Sequence, residues 1–462
     1  MLFAAYAATL GIDAAGGSDY AGDELRHLLA AASVADGGDL DLAEEYADGT
    51  ADAWAADADA GERQQPVEET SGGRPQRRPL ETDGRVVAGR LVEPQGIGFP
   101  LLIAPAYALG GAKLVEVLLA AIAALAFVLA AALARRVVPD PWATWAALLV
   151  GLSPPALAHA TAVTPALTAG ALLAGAVLCA LVVRERPLMR RAFGGAALLA
   201  VLPWLDPWLL VPSAPVAVLL ARWTARRGRG LVALGTVEIE LASLIFYASL
   251  NSRLYGGLTP LAVADGPVTG AASLADYAER VPRLAALWID RDVGMLRWAP
   301  VVALAFLGAF LLWRSRRERL SRLVPERRDA EHAAFLVLAV CAGQVLVAAF
   351  ASPALGGPWF PGTQLVAALP CAAALVAWGL RHAPRTAAVL AGITALASTW
   401  LLVALWTGAA GGWSPPESDA PWGPLVIAFP RVGWVVFGGV ALMFVALIGV
   451  EWRAWRLRQL RH

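Results

Sequence analysis

Apolar residues along this chain occur in twelve long runs, which polar segments separate. Roughly 20 predominantly apolar residues are needed to cross the hydrocarbon core of a bilayer, and most of the runs approach that length. The pattern predicts an all-α membrane protein, a polytopic bundle of about 11–13 transmembrane helices. The runs fall at 1–12, 113–134, 141–158, 162–183, 193–203, 206–221, 231–250, 298–313, 333–351, 363–380, 386–407 and 433–450.

Prolines interrupt several of these runs. Pro154 and Pro155 separate the third run from the fourth, and Pro203 and Pro207 separate the fifth from the sixth. Because neither half of 193–221 is long enough for an ideal span, we expect a broken or tilted hairpin there.

Two further features modify the helix pattern. Asp206 lies at the turn of that hairpin, and we expect its carboxylate to cap the second half-helix. The apolar stretch from Phe99 to Gly110 leads into the second run. We expect this stretch to be re-entrant or interfacial.

The composition supports lipid as the main solvent of the chain. Hydrophobic residues make up 58% of the 462 residues and charged residues 16%, whereas a soluble domain carries about a quarter charged residues. Cys179, Cys341 and Cys371 each lie inside an apolar run without metal-ligand spacing, which favours small buried side chains. Without a Walker loop, a dinucleotide glycine motif or a zinc pattern, we expect no cofactor, although a divalent metal stays open.

Basic residues are concentrated in alternate connecting segments, and this asymmetry orients the bundle. Six segments hold 23 of the 37 Lys and Arg residues, and all six fall on one side under a twelve-span count. The positive-inside rule makes that side cytoplasmic, so both termini are predicted to be cytoplasmic. The six segments are 135–136, 184–191, 222–229, 314–328, 381–385 and 453–461.

This topology divides the chain into three parts. Residues 1–12 are predicted to be a first transmembrane helix, truncated because a start site is assigned too far downstream. Residues 13–112 are predicted to form an extracytoplasmic segment with juxtamembrane helices. Residues 113–462 then form a multi-span domain with an outer loop at 251–297 and a basic cytoplasmic loop at 314–332.

The first outer segment is strongly acidic, since residues 13–98 contain nineteen Asp and Glu residues against seven Arg. Asp23 and Glu24 begin a predicted surface helix that ends near Gly37. These carboxylates are candidates to deprotonate an acceptor hydroxyl. Equally, they could be acidic residues that the helix dipole favours at a helix start.

Arginines in the outer loop 251–297 complement these acids. Arg253, Arg291 and Arg297 are candidates to bind phosphate, because guanidinium groups match phosphate geometry. Each of them could also be a solvated or interfacial side chain. Acids and arginines on one face favour chemistry on an anionic, lipid-linked substrate.

Three polar residues lie in or next to the apolar runs. Glu238 and Glu240 are near the middle of the 231–250 run, where carboxylates are costly and are functional hypotheses by default. They point about 200° apart on a helix, so we expect one to face the bundle interior, hydrogen-bonded or protonated. His159 could reach a donor phosphate or make a structural hydrogen bond.

Several short motifs, taken together and in order, resemble a known family across nearly the whole chain. The chain is similar to the bacterial membrane glycosyltransferases of the GT-C superfamily, which include protein O-mannosyltransferases and aminoarabinose transferases. The motifs are Gly22-Asp23-Glu24, Gly38-Asp39-Leu40-Asp41-Leu42, Gly96 to Pro105, Leu254 to Pro260, Asp292 to Pro300, and Phe360-Pro361-Gly362.

The resemblance implies a polytopic enzyme of the bacterial plasma membrane that uses a polyprenyl-phosphate sugar donor. It implies transfer to an extracytoplasmic acceptor, with inversion at the anomeric carbon, and no nucleic-acid partner. Asp23 matches the position of the general base, with Glu24 assisting. Arg26 and His27 follow where the family pattern has other residues, and they are candidates for binding the substrate.

The sequence departs from the family pattern at Gln95, Ala166 and Thr363, where other polar groups are common. These departures keep open a non-catalytic member of the same fold. A lipid-linked sugar transporter or flippase is the other alternative, although such proteins tend to show internal repeats, and this sequence has no convincing one.

Overall fold

A computed structural model describes the architecture of the chain. The residues it describes are 1–12, 20, 22–47, 84–186, 188–226, 229–264, 267–315, 325–355, 360–408, 412–413 and 429–459. Within them the chain is almost entirely helical, and the two strands of a short antiparallel hairpin, β1 (Arg85–Val87) and β2 (Arg90–Val92), form the sheet.

The helices are numbered in chain order. They are α1 Leu2–Ala7, α2 Gly22–Ala32, α3 Ala43–Ala47, α4 Gly98–Ala134, α5 Trp142–Gly151, α6 Pro154–Ala158, α7 Ala166–Glu185, α8 Met189–Leu205, α9 Leu210–Arg226, α10 Gly230–Leu254, α11 Leu274–Glu279, α12 Arg283–Ile289, α13 Ala303–Ser315, α14 Pro325–Leu346, α15 Leu369–His382, α16 Pro384–Trp406 and α17 Trp434–Gln459.

Seven helices among the described residues are long and apolar enough to cross a membrane. The protein is therefore an all-α, multi-pass membrane protein, as the apolar runs predicted. Three shorter apolar helices, Trp142–Gly151, Pro300–Leu312 and Trp434–Ala446, match other predicted runs. The total of about 11–13 spans stays a prediction. The seven are Gly98–Ala134, Ala166–Glu185, Pro207–Arg226, Gly230–Leu254, Ala330–Ala351, Thr363–His382 and Pro384–Trp406.

The beginning of the bundle differs in detail from the sequence pattern. Residues 1–12 contain α1, a helix of six residues, and their role as a first span stays a prediction. The stretch Phe99–Gly110 is the first part of α4, and a kink at Gly110 and Gly111 separates it from the rest. Gly111 has φ 64°, a left-handed conformation that glycine adopts without steric cost.

The broken hairpin around Asp206 is made of two well-formed helices. α8 has 17 residues, and α9 follows a short 3-10 turn at Pro207–Leu209. The Asp206 carboxylate accepts a hydrogen bond from the Trp208 N–H at 2.8 Å, so the predicted cap is confirmed.

The centre and the edge of the bundle are clearly separated. The span that contains α15 is 83% buried, and it contacts α4, α5, α13 and α14. Gly379 lies in that span, where an added Cβ would be 2.9 Å from Leu304 Cβ in α13. Small residues at such crossings let helix backbones approach closely in membranes. By contrast, α10 is only 17% buried and lies at the edge.

Candidate functional site

The candidate site begins with four polar residues at the start of α2 and near the end of the first polar segment. Asp23 Oδ1 accepts from Arg26 Nη1 at 3.3 Å and from Gln95 Nε2 at 3.4 Å. Arg26 Nε also lies 3.8 Å from Glu93 Oε1. We call Asp23, Arg26, Glu93 and Gln95 the carboxylate cluster. Its Asp23 side chain is 53% exposed, so this carboxylate is open to solvent.

Glu24 occupies a different environment from its neighbour. Its residue is only 3% exposed, and Oε1 accepts a hydrogen bond from the Val163 N–H at 2.7 Å. A buried carboxylate that accepts a backbone N–H holds two distant segments together. Glu24 therefore anchors α2 to the segment between α6 and α7, and its predicted assistance to a base stays a prediction.

His27 faces the bundle rather than the solvent. It is 7% exposed, and its ring meets the ring of Phe99 edge-on at a centroid distance of 4.9 Å. Burial lowers the pKa of His27 to about 4 from its ordinary 6.5, with the Asp23 charge opposing and the Arg26 charge reinforcing the change. His27 is thus a neutral packing residue near the cluster, and its role in substrate binding stays a prediction.

A partly buried hydrogen bond joins His159 to Thr363, the residue that follows the Phe360-Pro361-Gly362 motif. His159 Nε2 lies 3.1 Å from Thr363 Oγ1, and His159 Nδ1 lies 2.9 Å from the Pro155 carbonyl oxygen. His159 is only 3% exposed, so the structure favours the hypothesis that it makes a structural hydrogen bond over the hypothesis that it contacts a donor phosphate. Gly362 precedes Thr363 with φ 91°, and a Cβ there would lie 2.9 Å from Met295 Cε.

Met295 lines an apolar cavity of about 350 Å³ between α13, α14 and α15. Phe306, Leu338 and Leu346 are also in its wall, and their side chains are 41%, 43% and 49% exposed. The cavity therefore opens on the apolar surface of the membrane domain. We call it the lipid-facing cavity. Its size lies within the range of sites for small molecules.

The three arginines that the sequence predicted to bind phosphate, Arg253, Arg291 and Arg297, lie outside the carboxylate cluster. Arg253 is exposed in the last turn of α10. Arg297 is 7% exposed and donates from Nη2 to the Asp292 carbonyl oxygen at 3.1 Å. The Arg291 N–H donates to the Pro430 carbonyl oxygen at 3.1 Å. Arg297 follows Met295 by two residues in the chain, but it is not among the residues that line the lipid-facing cavity.

The two polar segments that the sequence predicted outside meet at one end of the bundle. Tyr255 Oη donates to the Gln95 carbonyl oxygen at 3.0 Å, and Val92, Ile97, Tyr255 and Val263 form one buried cluster. Gly96 packs against the same segment, since an added Cβ there would lie 3.7 Å from Pro260 Cγ.

Some residues of the site were not expected from the sequence. Glu93 and Tyr46 form a hydrogen bond behind Arg26, and Gln95 contacts Asp23, although the sequence offered Gln95 only as a departure from a pattern. Thr363 was another departure, and it is the hydrogen-bond partner of His159. Within the described part of the chain, no group of three His, Cys, Asp or Glu residues could hold a metal ion.

Three separate contacts lie between Glu24, the neighbour of Asp23 in the chain, and the lipid-facing cavity. They join Glu24 to Val163, His159 to Thr363, and Gly362 to Met295.

Searches of protein-family models, curated proteins and solved structures find no match to this chain. The chain is therefore a multi-pass membrane protein whose described residues include a solvent-exposed carboxylate and an apolar cavity.

Proposed function

We propose that the chain is a membrane glycosyltransferase that moves a sugar from a polyprenyl-phosphate-linked donor to an extracytoplasmic acceptor. The observation that carries this proposal is the pairing of two environments in one molecule. A 53% exposed carboxylate at Asp23 suits a polar acceptor, and an apolar cavity open to lipid suits a polyprenyl chain. The resemblance to GT-C glycosyltransferases points to the same reaction.

In the proposed reaction, the acceptor hydroxyl oxygen attacks the anomeric carbon of the donor. The bond between that carbon and the phosphate oxygen breaks, and polyprenyl phosphate leaves with the electron pair. The hydroxyl proton passes to the Asp23 carboxylate, which acts as general base. Attack opposite the leaving group inverts the anomeric carbon.

Neighbouring residues have supporting roles in this proposal. Gln95 and Arg26 orient the Asp23 carboxylate through the contacts at 3.4 and 3.3 Å. Glu24 holds α2 against the core through Val163. Arg297, which follows the cavity residue Met295, stabilises the negative charge that develops on the leaving phosphate.

A second candidate is a non-catalytic protein that binds lipid-linked sugars. One observation favours it: both candidate acids already have partners, since Arg26 and Gln95 contact Asp23 and the Val163 N–H bonds Glu24. Such a protein would need the cavity but no free base.

The test is sugar transfer from synthetic polyprenyl-phosphate sugars, in liposomes that contain the purified chain. We expect transfer by the parent and a loss of about 10²–10⁴-fold in kcat for Asp23→Asn, since general base catalysis contributes about that much. Asp36→Asn is the matched control, because Asp36 is an exposed acid of the same segment. It should transfer at the parental rate.

Three outcomes separate the candidates. Loss in Asp23→Asn alone supports the transferase. Equal transfer by all three proteins removes Asp23 from the reaction. Donor binding by the parent without transfer, over a panel of donor sugars, favours the non-catalytic candidate.

A further inference from the structure

α10 presents an apolar face that no other described helix covers. It contacts α8 and α9 on one side, and only 17% of its apolar window is buried. Leu231, Leu234, Leu241 and Ile245 are 85%, 65%, 54% and 61% exposed. Their spacing of three, seven and four residues places them in one stripe along the helix.

Glu238 lies in the middle of this stripe. It is four residues after Leu234 and three before Leu241, and it is exposed. Glu240 lies on the other side of the helix, half-buried toward α8 and α9. The expectation that one of the two acids faces the bundle therefore holds for Glu240. No hydrogen bond or ion pair among the described residues involves either acid.

The depth of Glu238 places it among lipid chains. α10 has 25 residues, and a rise of 1.5 Å per residue makes it about 37 Å long. Glu238 is then about 12 Å from the start of α10 and about 6 Å from its midpoint. The hydrocarbon core extends about 15 Å to either side of the bilayer centre, so a short Glu side chain there does not reach water.

A carboxyl group on a lipid-facing stripe is unfavourable in either protonation state. As an anion it lacks a counter-charge, and as a neutral acid it lacks a hydrogen-bond partner. Intramembrane acids almost always pair with another group. A second copy of this chain would not supply a counter-charge, because parallel copies related across α10 bring Glu238 against Glu238.

We propose that the stripe of α10 around Glu238 binds a transmembrane helix of another protein, which places an Arg or Lys side chain opposite Glu238. The positive charge complements Glu238, and the four apolar residues of the stripe supply the packing surface. Leu231 to Ile245 spans about 21 Å, close to four helical turns, which suits a partner helix that runs along α10. The proposed partner is independent of the sugar-transfer reaction.

The test uses a designed probe helix of leucine and alanine with one Arg at mid-span. The probe carries an acceptor fluorophore, and the full chain carries a donor fluorophore on Leu258→Cys, a position that is 71% exposed beyond the end of α10. Both are reconstituted in phosphatidylcholine liposomes, and energy transfer is measured against the probe-to-lipid ratio. A probe with Leu in place of Arg is the reference.

We expect the Arg probe to bind at a mole fraction on the order of tenfold lower than the Leu probe. Glu238→Gln should remove this difference, whereas Glu240→Gln, on the other side of the same helix, should retain it. Both changes are nearly isosteric, and monodisperse elution of each variant in detergent reports folding.

Two results would overturn the proposal. In the first, the Arg and Leu probes bind the parent equally. In the second, donor-labelled and acceptor-labelled copies of the chain associate with one another and lose this association in Glu238→Gln, which would make the face a contact between copies.

Discussion

Gly98 is the position where a single methyl group should disturb the candidate site most clearly. It is the first residue of α4 and lies directly against the end of α8, where an added Cβ would be 2.6 Å from Trp204 Cβ and 2.7 Å from the Trp204 carbonyl carbon. The Trp204 carbonyl oxygen is closer still. Two of these three neighbours are backbone atoms, so a change of rotamer cannot relieve the contact.

The structure gives the size and the sign of the effect. Ordinary van der Waals contact begins near 3.4 Å, and the Trp204 carbonyl oxygen would be 2.4 Å away, so this residue must move by about 1.0 Å to accept the new methyl group. Overpacking of this kind costs about 1–3 kcal/mol. Alanine recovers about 0.5–1 kcal/mol of backbone entropy relative to glycine. Because the clash is with backbone atoms, the upper part of the overpacking cost applies, about 2–3 kcal/mol. We therefore expect Gly98→Ala to lower the free energy of unfolding by about 1–2.5 kcal/mol.

The assay is equilibrium unfolding in mixed micelles, with Gly22→Ala as the matched control. Gly22 is also the first residue of a helix, and a Cβ there meets nothing within 4 Å. Gly22→Ala should be neutral or slightly stabilising. If Gly98→Ala were as stable as the parent, the close packing of the start of α4 against the end of α8 would be refuted. Because Gln95 lies three residues before Gly98, we also expect reduced sugar transfer by this variant.

Two more predictions concern pH and orientation. Burial lowers the pKa of His27 to about 4 in the folded chain, whereas in the unfolded chain it has its ordinary value of 6.5. As the pH falls, the unfolded chain therefore protonates His27 first. The free energy of unfolding should drop by about 3 kcal/mol between pH 7 and pH 4. His27→Leu should lose that part of the pH dependence, and an unchanged profile would contradict the buried neutral histidine. In intact cells, Leu274→Cys should react with an impermeant thiol reagent, whereas Leu188→Cys should react only after permeabilisation. These positions are 88% and 51% exposed, and the reverse result would invert the topology.

Local sequence signals predicted the helices well where prolines and charges delimit them. The run at 386–407 corresponds to α16, Pro384–Trp406, and the run at 231–250 corresponds to α10. Asp206 was predicted as a cap because that role depends on residues two positions away. Such features are encoded within a few neighbouring residues.

The pattern of apolar and polar residues could not predict the long-range hydrogen bonds of the candidate site. Glu24 and Val163 are 139 residues apart, and His159 and Thr363 are 204 apart. Apolar periodicity does not specify which helices are neighbours in space. It therefore could not show that Glu24 turns inward while Asp23 stays exposed.

The kink of α4 and the lipid-facing cavity also could not be predicted from the sequence. The kink of α4 depends on the backbone angles of Gly110 and Gly111, and an apolar run does not reveal them. The lipid-facing cavity arises between three helices that are distant along the chain. The sequence signal that could have suggested it was the small residues Ala305, Ala309 and Ala342, which leave space between the larger side chains.

In the proposed reaction the carboxylate cluster and the lipid-facing cavity act as one site, and we would test this by steady-state kinetics with the lipid-linked donor. Ala342 lines the cavity and is exposed, so Ala342→Phe should obstruct the donor chain. Ala395→Phe, an exposed position on α16, is the matched control.

We expect Ala342→Phe to raise KM for the donor with kcat retained, because the cavity binds the donor in the ground state and the transition state alike. Asp23→Asn should lower kcat with KM retained, because it removes a proton transfer that occurs only in the transition state. If Ala342→Phe matched Ala395→Phe in KM, or if Asp23→Asn kept the parental kcat, the two features would not form one catalytic site.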